Sequence, residues 1–131
     1  NGVPYYNDSK ATNPDSTIKA LEAFDGHIIL LAGGHDKMTS LEPMMKLVQA
    51  KADVLILLGE AKERFYEAAA AAGVGDIRKV ETMDEAVELA YKLAAAPQVV
   101  LLSPACSSYD MFENFPARGR YFKNLVAALP K

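Results

Sequence analysis

The sequence has little of what marks a secreted, membrane-bound or nucleic-acid-binding protein. Its single cysteine, Cys106, cannot form an internal disulfide, so a reducing cytoplasm is the expected location. No apolar run approaches the roughly 20 residues that a membrane-spanning helix requires, and no membrane contact is expected. A net charge of -3 and a pI near 5.4 argue against nucleic acid or an anionic membrane surface as the main partner.

Sequence motifs for nucleotide and metal binding are also missing. The chain has neither G-x-G-x-x-G nor G-x-x-x-x-G-K-[ST], and Gly33-Gly34 alone is a weak signal for a phosphate-binding turn. If the protein uses ATP, its main triphosphate-binding loop therefore lies elsewhere. His27 and His35 do not have the spacing of metal ligands, so no metal site is expected in this chain. Cys106 is interpreted as a small buried hydrophobic residue.

The length and composition fit one globular domain. The 131 residues are 50% hydrophobic and 24% charged, which is enough to bury a core. The chain does not begin with Met, and Asn1-Gly2 is typical of a two-residue hairpin turn whose first strand would precede residue 1. Residues 1–131 are therefore expected to be a single domain of a longer protein.

Apolar patterns of the strand and helix types alternate about five times along the chain. Continuous apolar runs predict buried strands at 27–32, 52–58 and 99–102, and further short strands are expected at 4–7 and 77–80. Helical spacing predicts helices over 14–24, from 40 or 41 onward, over 61–72 and 84–95, and a last one ending near 129. The methionines of 38–45 are interpreted as core. The alternation predicts an α/β fold, a Rossmann-like three-layer αβα sandwich with a mostly parallel sheet of about five to six strands.

Polar segments follow three of the predicted strands, around Lys10, Lys37 and Ser108. Because the carboxyl ends of parallel strands meet at one edge of a sheet, these segments should converge there. Two cations with several hydroxyls and backbone amides suit a polyanion, or a small ligand with two carboxylates. Ordinary structural roles are the alternatives: Lys37 as a solvated loop residue, Ser108 as a turn cap and Asp8 as a turn or capping residue.

Three segments resemble the C-terminal domain of the Mur ligase family. They read D-S-K-A-T-N at 8–13, A-G-G-H-D-K at 32–37 and S-P-A-C-S-S-Y-D-M-F-E-N-F at 103–115, with Arg118-Gly119 after the last. The resemblance covers essentially the whole chain and is strongest to the branch that adds D-glutamate. The first and third segments are specific together, whereas G-G-x-D-K is shared more widely in the superfamily. Met38 stands where glycine is common and is not expected to disturb Lys37.

The resemblance implies one domain of a three-domain, monomeric, cytoplasmic ligase of peptidoglycan synthesis. Such an enzyme uses ATP to phosphorylate the alanyl carboxylate of UDP-N-acetylmuramoyl-L-alanine, and the amine of D-glutamate attacks the acyl phosphate. The C-terminal domain binds D-glutamate and closes over ATP. The N-terminal domain holds the UDP group, and the central domain supplies the ATP loop and the Mg²⁺ ligands. Both are expected outside this chain, which should be inactive alone.

The same resemblance assigns four residues to D-glutamate. Lys37 and Thr12 are expected to hold its α-carboxylate, and Ser108 and the backbone amide of Phe115 its side-chain carboxylate. Binding by the carboxylates leaves the amine free to attack, and orienting a nucleophile in this way can contribute on the order of 7–11 kcal/mol. No general base for the amine is evident in the chain.

Three residues are assigned to the ATP side. Lys10 is expected near the transferred phosphoryl group as the catalytic residue, where a cation stabilises developing negative charge. Asp8 is expected at the ATP ribose, with Asn13 in the same neighbourhood.

Two alternatives remain open at this point. One is the C-terminal domain of another Mur ligase or of a folylpolyglutamate synthetase relative, which should lack the S-P-A-C-x-S-x-D-x-F-x-N-F segment. The other is a stand-alone binding module for acidic metabolites. A Walker-type loop upstream in the parent coding sequence would favour the ligase.

Overall fold

The computed structural model describes residues 2–130 and shows five parallel strands with five helices packed on the sheet. The strands are Tyr5–Asn7 (β1), Ile28–Ala32 (β2), Ala52–Leu57 (β3), Ile77–Lys79 (β4) and Val99–Leu102 (β5). The helices are Pro14–Glu22 (α1), Glu42–Lys51 (α2), Lys62–Ala71 (α3), Met83–Leu93 (α4) and Phe115–Ala127 (α5).

The sheet order is β1-β5-β2-β3-β4, and every pairing is parallel. Leu101 of β5 pairs with Tyr6 on one side and with Leu30 on the other. Since β1, β5 and β2 are neighbours, the segments that follow them leave from the same edge of the sheet. The predicted convergence of the three polar segments is confirmed.

Two hydrophobic clusters cover the two faces of the sheet. On one face, α1, α2 and α3 pack on alternate strand residues, including Leu30 and Leu55. On the other face, α4 and α5 pack on the residues between them, including Ile29 and Ile56. Strands buried on both faces read as continuous apolar runs, which is why the sequence marks them so clearly. The predicted three-layer α/β sandwich is confirmed.

Several predicted boundaries shift by one or two residues. α1 ends at Glu22, and not at Phe24. Ala23 is its C-cap residue, and the Ala23 backbone N–H donates to carbonyls of the last helical turn. α4 begins at Met83, where Thr82 accepts a hydrogen bond from the Glu85 backbone. The predicted turn at Asn1-Gly2 includes Asn1, which lies outside the described residues.

The interpretation of the 38–45 methionines as core is wrong for Met38. Met44 and Met45 are fully buried, but Met38 is 72% exposed in the loop before α2. Its φ of +60° is in the left-handed region that favours glycine, in agreement with the glycine expected there from the resemblance. Between residues 2 and 130, no helix is long and apolar enough to span a bilayer.

Candidate functional site

The segment after β1 turns directly into α1. Asn13 caps the helix, because its side chain accepts a hydrogen bond of 2.9 Å from the Ser16 backbone, and Pro14 takes the first helical position. Asp8 accepts a 2.9 Å hydrogen bond from the Ser103 hydroxyl at the end of β5. The side-chain oxygen of Asn13 thus serves the helix start, and the carboxylate of Asp8 is anchored at the edge of the sheet.

The segment after β2 needs its two glycines for packing. A Cβ on Gly33, whose φ is +119°, would lie 1.9 Å from the Leu58 carbonyl oxygen. A Cβ on Gly34 would lie 2.5 Å from the Ser107 carbonyl oxygen. The backbone N–H of His35 donates to that same oxygen at 2.9 Å. The Gly33-Gly34 pair therefore joins the second polar segment to the third at close range.

Lys37 lies on a loop that Arg64 of α3 holds in place by hydrogen bonds. Arg64 donates to both carboxylate oxygens of Asp36, at 2.8 and 2.9 Å, and also to the Thr39 carbonyl at 2.9 Å. The Glu60 carboxylate accepts from the Asp36 backbone N–H at 3.1 Å. These hydrogen bonds from Arg64 hold the pKa of Asp36 below its ordinary value. The loop has a defined conformation although Lys37 itself is exposed.

The segment after β5 presents two buried serine hydroxyls. The Oγ atoms of Ser107 and Ser108 are buried and have no hydrogen-bond partner among the described residues. A buried hydroxyl without a partner is costly, so such a group is a candidate for ligand binding. Just before them, Ala105 has a φ of +64°, and such backbone strain clusters at functional sites.

The start of α5 adds a free backbone donor. Asn114 caps the helix by accepting 2.8 Å from the Ala117 backbone N–H. Within residues 2–130, the backbone N–H of Phe115 has no acceptor. The Ser9 hydroxyl donates 2.8 Å to the Phe115 carbonyl, which joins this helix start to the first polar segment. A helix N-terminus with a free amide favours an anion.

Three further donors at this edge are free. In the described part of the chain, the side chains of Lys10, Thr12 and Lys37 have no hydrogen-bond or ion-pair partner. Lys10 and Lys37 are exposed and Thr12 is half-buried. The edge therefore offers two cations and several hydroxyl or amide donors that no acceptor within residues 2–130 uses.

An open cleft of about 560 Å³ lies beside this edge, between β1 and α1. Asp8 and Lys10 line it on the polar side. Tyr6 and Phe24 form its aromatic wall, with ring centroids 5.1 Å apart. Two predicted ATP residues thus share one cleft, whereas Asn13 is occupied as a helix cap.

Arg118 is the main feature to which the sequence analysis gave no role, although it named the residue as part of the motif. It is 2% exposed and ion-paired to no carboxylate of the described residues, and burial lowers its pKa to about 10. The sequence did indicate that Arg118 is buried, because Arg118 and Phe122 are four residues apart and share the buried face of α5. A charged residue on an apolar stripe is unusual enough to suggest a role.

Cys106 behaves as predicted, as a small buried residue. It is 3% exposed, and burial raises the pKa of its thiol to about 12. Among the described residues, no group of His, Cys, Asp and Glu side chains could hold a metal ion.

The fold and the site define an α/β domain in which unpaired cations, hydroxyls and a backbone amide gather at the carboxyl edge of its sheet. Residues 1–106 match the family model for the Mur ligase, glutamate ligase domain. The chain therefore belongs to the Mur ligase family. This confirms the resemblance that its three polar segments suggested.

The chain is also similar to curated proteins of known name. The chain is 49% identical over 127 residues to the UDP-N-acetylmuramoylalanine--D-glutamate ligase of Citrifermentans bemidjiense, and 45% identical over 124 residues to that of Clostridioides difficile. These matches cover 97% and 95% of this chain but only 28% of each relative. The chain thus spans little more than a quarter of the length of the relatives it matches.

Solved structures agree on the fold. The UDP-N-acetylmuramate-alanine ligase of Thermotoga maritima matches 94% of this chain and 26% of its own with a TM-score of 0.55 at 16% identity. The folylpolyglutamate synthase of Mycobacterium tuberculosis matches 85% of this chain and 28% of its own with a TM-score of 0.56 at 17% identity.

Proposed function

We propose that this chain is the D-glutamate-binding domain of an ATP-dependent ligase that adds D-glutamate to UDP-N-acetylmuramoyl-L-alanine. The observation that carries the proposal is the edge at which three segments converge with unpaired donors. The relatives' names supply the reaction, because they are D-glutamate ligases at 45–49% identity over nearly the whole of this chain. Residues 1–131 are proposed to form one domain, with the UDP-binding and central ATP-binding domains elsewhere in the parent protein.

The donors fit a ligand with two carboxylates. Lys37 and Thr12 would bind the α-carboxylate, for which both have free side-chain donors. Ser108 and the Phe115 backbone amide would bind the side-chain carboxylate at the start of α5. The last two contacts would give a buried hydroxyl and a helix-terminal amide their missing acceptor, and hydrogen bonds to charged acceptors are the stronger kind.

Amide formation from a carboxylate and an amine requires activation, which ATP would supply by phosphorylating the substrate carboxylate. Lys10 would stabilise negative charge on the transferred phosphoryl group. Asp8 would accept hydrogen bonds from the ribose in the cleft that both residues line. Asn13 would lie in the neighbourhood of the ribose, but its side-chain oxygen would not be available to the ligand because it caps α1. Magnesium ligands would come from outside this chain.

The test is turnover by the full-length parent protein. Phosphate release with ATP and UDP-N-acetylmuramoyl-L-alanine should depend on D-glutamate and not occur with L-glutamate. Residues 1–131 alone should show none. Lys37→Ala should raise KM for D-glutamate strongly, while Lys46→Ala, an exposed lysine on α2, should leave it unchanged. Turnover with L-alanine or a folate in place of these substrates would support the related-ligase alternatives, and turnover by the isolated chain would contradict the proposal.

A further inference from the structure

We propose that Arg118 is a positioning residue that holds the two halves of the D-glutamate pocket in register. It acts through Ser9 and Cys106 and does not itself touch the substrate. This inference rests on the function proposed above and adds a residue for which that function gave no role.

The guanidinium of Arg118 bridges two of the polar segments. Its Nε donates 2.9 Å to the Ser9 hydroxyl, and its Nη2 donates 2.6 Å to the Ser9 carbonyl. Its Nη1 donates 2.9 Å to the Cys106 carbonyl. All three acceptors are neutral, so the buried charge does not serve an ordinary salt bridge. The planar fork instead fixes the distance between the segment after β1 and the segment after β5.

Each acceptor lies close in sequence to a residue assigned to the ligand. Ser9 precedes Lys10 and is three residues before Thr12, and Cys106 is two residues before Ser108. Arg118 itself is three residues after Phe115, one turn along α5. A shift of the guanidinium would therefore move donors for both carboxylates of D-glutamate relative to each other.

Neighbouring contacts leave the guanidinium little freedom. A Cβ on Gly34 would lie 3.3 Å from Arg118 Nη1, so the segment that carries Lys37 packs against it as well. A Cβ on Gly119 would lie 3.2 Å from Ser9 Cβ, which shows how closely α5 approaches the first segment. All three segments thus meet at one buried side chain.

Arg118→Lys is the informative variant, because it keeps the positive charge but replaces the fork with a single ammonium. Arg120→Lys is its matched control: the same change, two residues along α5, on an exposed side chain. Ser9→Ala is a milder second variant that removes one acceptor and also the hydrogen bond to the Phe115 carbonyl. It decides the question if Arg118→Lys does not fold.

Amide hydrogen exchange on residues 1–131 tests the link without ligand. The Ala105 N–H donates 3.0 Å to the Ala11 carbonyl, across the same two segments. Its exchange should become about tenfold faster in Arg118→Lys as this region opens locally. Exchange of Val100, which is bonded to the Pro4 carbonyl within the sheet, should stay unchanged.

An NMR titration with D-glutamate tests the functional part on the same samples. Arg118→Lys should weaken D-glutamate binding by about tenfold, since small misplacements of positioned groups have effects of this size or larger. Ser9→Ala should weaken it less, and Arg120→Lys should bind as the wild type does.

Either of two results would overturn the inference. One is normal protection of Ala105 in the folded variants. The other is loosened Ala105 with unchanged D-glutamate affinity, which would make Arg118 a packing residue only. A wild-type chain that does not respond to D-glutamate would instead refute the proposed pocket itself, and the inference with it.

Discussion

Two buried serines on one segment provide a matched test of which polar groups serve the fold and which serve a ligand. Ser103 Oγ donates 2.9 Å to the Asp8 carboxylate and lies 3.1 Å from Thr17 Oγ1. Ser108 Oγ is equally inaccessible but has no partner among the described residues. The same change, Ser→Ala, should therefore have opposite effects on stability at the two positions.

The magnitudes follow from the hydrogen bonds. Ser103→Ala leaves the Asp8 carboxylate short of a donor, while Thr17 keeps its hydrogen bond to the carbonyl of residue 103, and the loss should cost about 2 kcal/mol of unfolding free energy. For a domain of this size that corresponds to a Tm about 7 °C lower. Ser108→Ala removes an unpaired buried hydroxyl, so it should leave stability unchanged or raise it by up to about 1 kcal/mol. Ser108→Ala should nevertheless abolish the response to D-glutamate.

Thermal unfolding by circular dichroism and an NMR titration with D-glutamate measure the two effects. If removing a hydroxyl stabilises the protein but abolishes binding, the hydroxyl serves the ligand at the expense of stability, as is common at functional sites. The reasoning would be refuted if Ser108→Ala lowered Tm as much as Ser103→Ala, or if Ser108→Ala still bound D-glutamate.

Two further predictions concern other charged or reactive groups. Asp36→Asn should lower the unfolding free energy at pH 7 by about 2 kcal/mol. Because Arg64 depresses the pKa of Asp36, this stability is fully present above the unfolded carboxyl pKa of about 3.9 and is lost as the pH falls through the lower folded value. Urea unfolding should show a smaller difference in unfolding free energy between the wild type and Asp36→Asn at pH 3 than at pH 7. An equal difference at the two pH values would contradict this prediction. Cys106, with a pKa of about 12, should resist iodoacetamide at pH 8 until urea unfolds the chain, and rapid native labelling would disprove its inert character.

Local signals in the sequence were enough for the fold and for the convergence of the three polar segments at one edge. Asn13-Pro14 is a helix start that needs no tertiary information, and the continuous apolar run 28–32 is too short for a helix and indicates a strand covered on both faces. Parallel neighbours then bring the polar segments to one edge.

The supporting contacts could not be predicted because they join residues that are distant in sequence. Arg118 meets Ser9 across 109 positions, and Arg64 meets Asp36 across 28. The exposure of Met38 was missed for a different reason. Its apolar side chain suggests core, but its left-handed backbone places it on a solvent-facing turn.

Whether this edge binds D-glutamate by its two carboxylates can be measured by an NMR titration of the wild-type chain with D-glutamate and L-glutamate. We expect weak but selective shifts with the D-isomer at Thr12, Lys37, Ser108 and the Phe115 amide. Equal shifts with both isomers, shifts confined to other surfaces, or no response at high ligand concentration would contradict a preformed D-glutamate pocket in this chain.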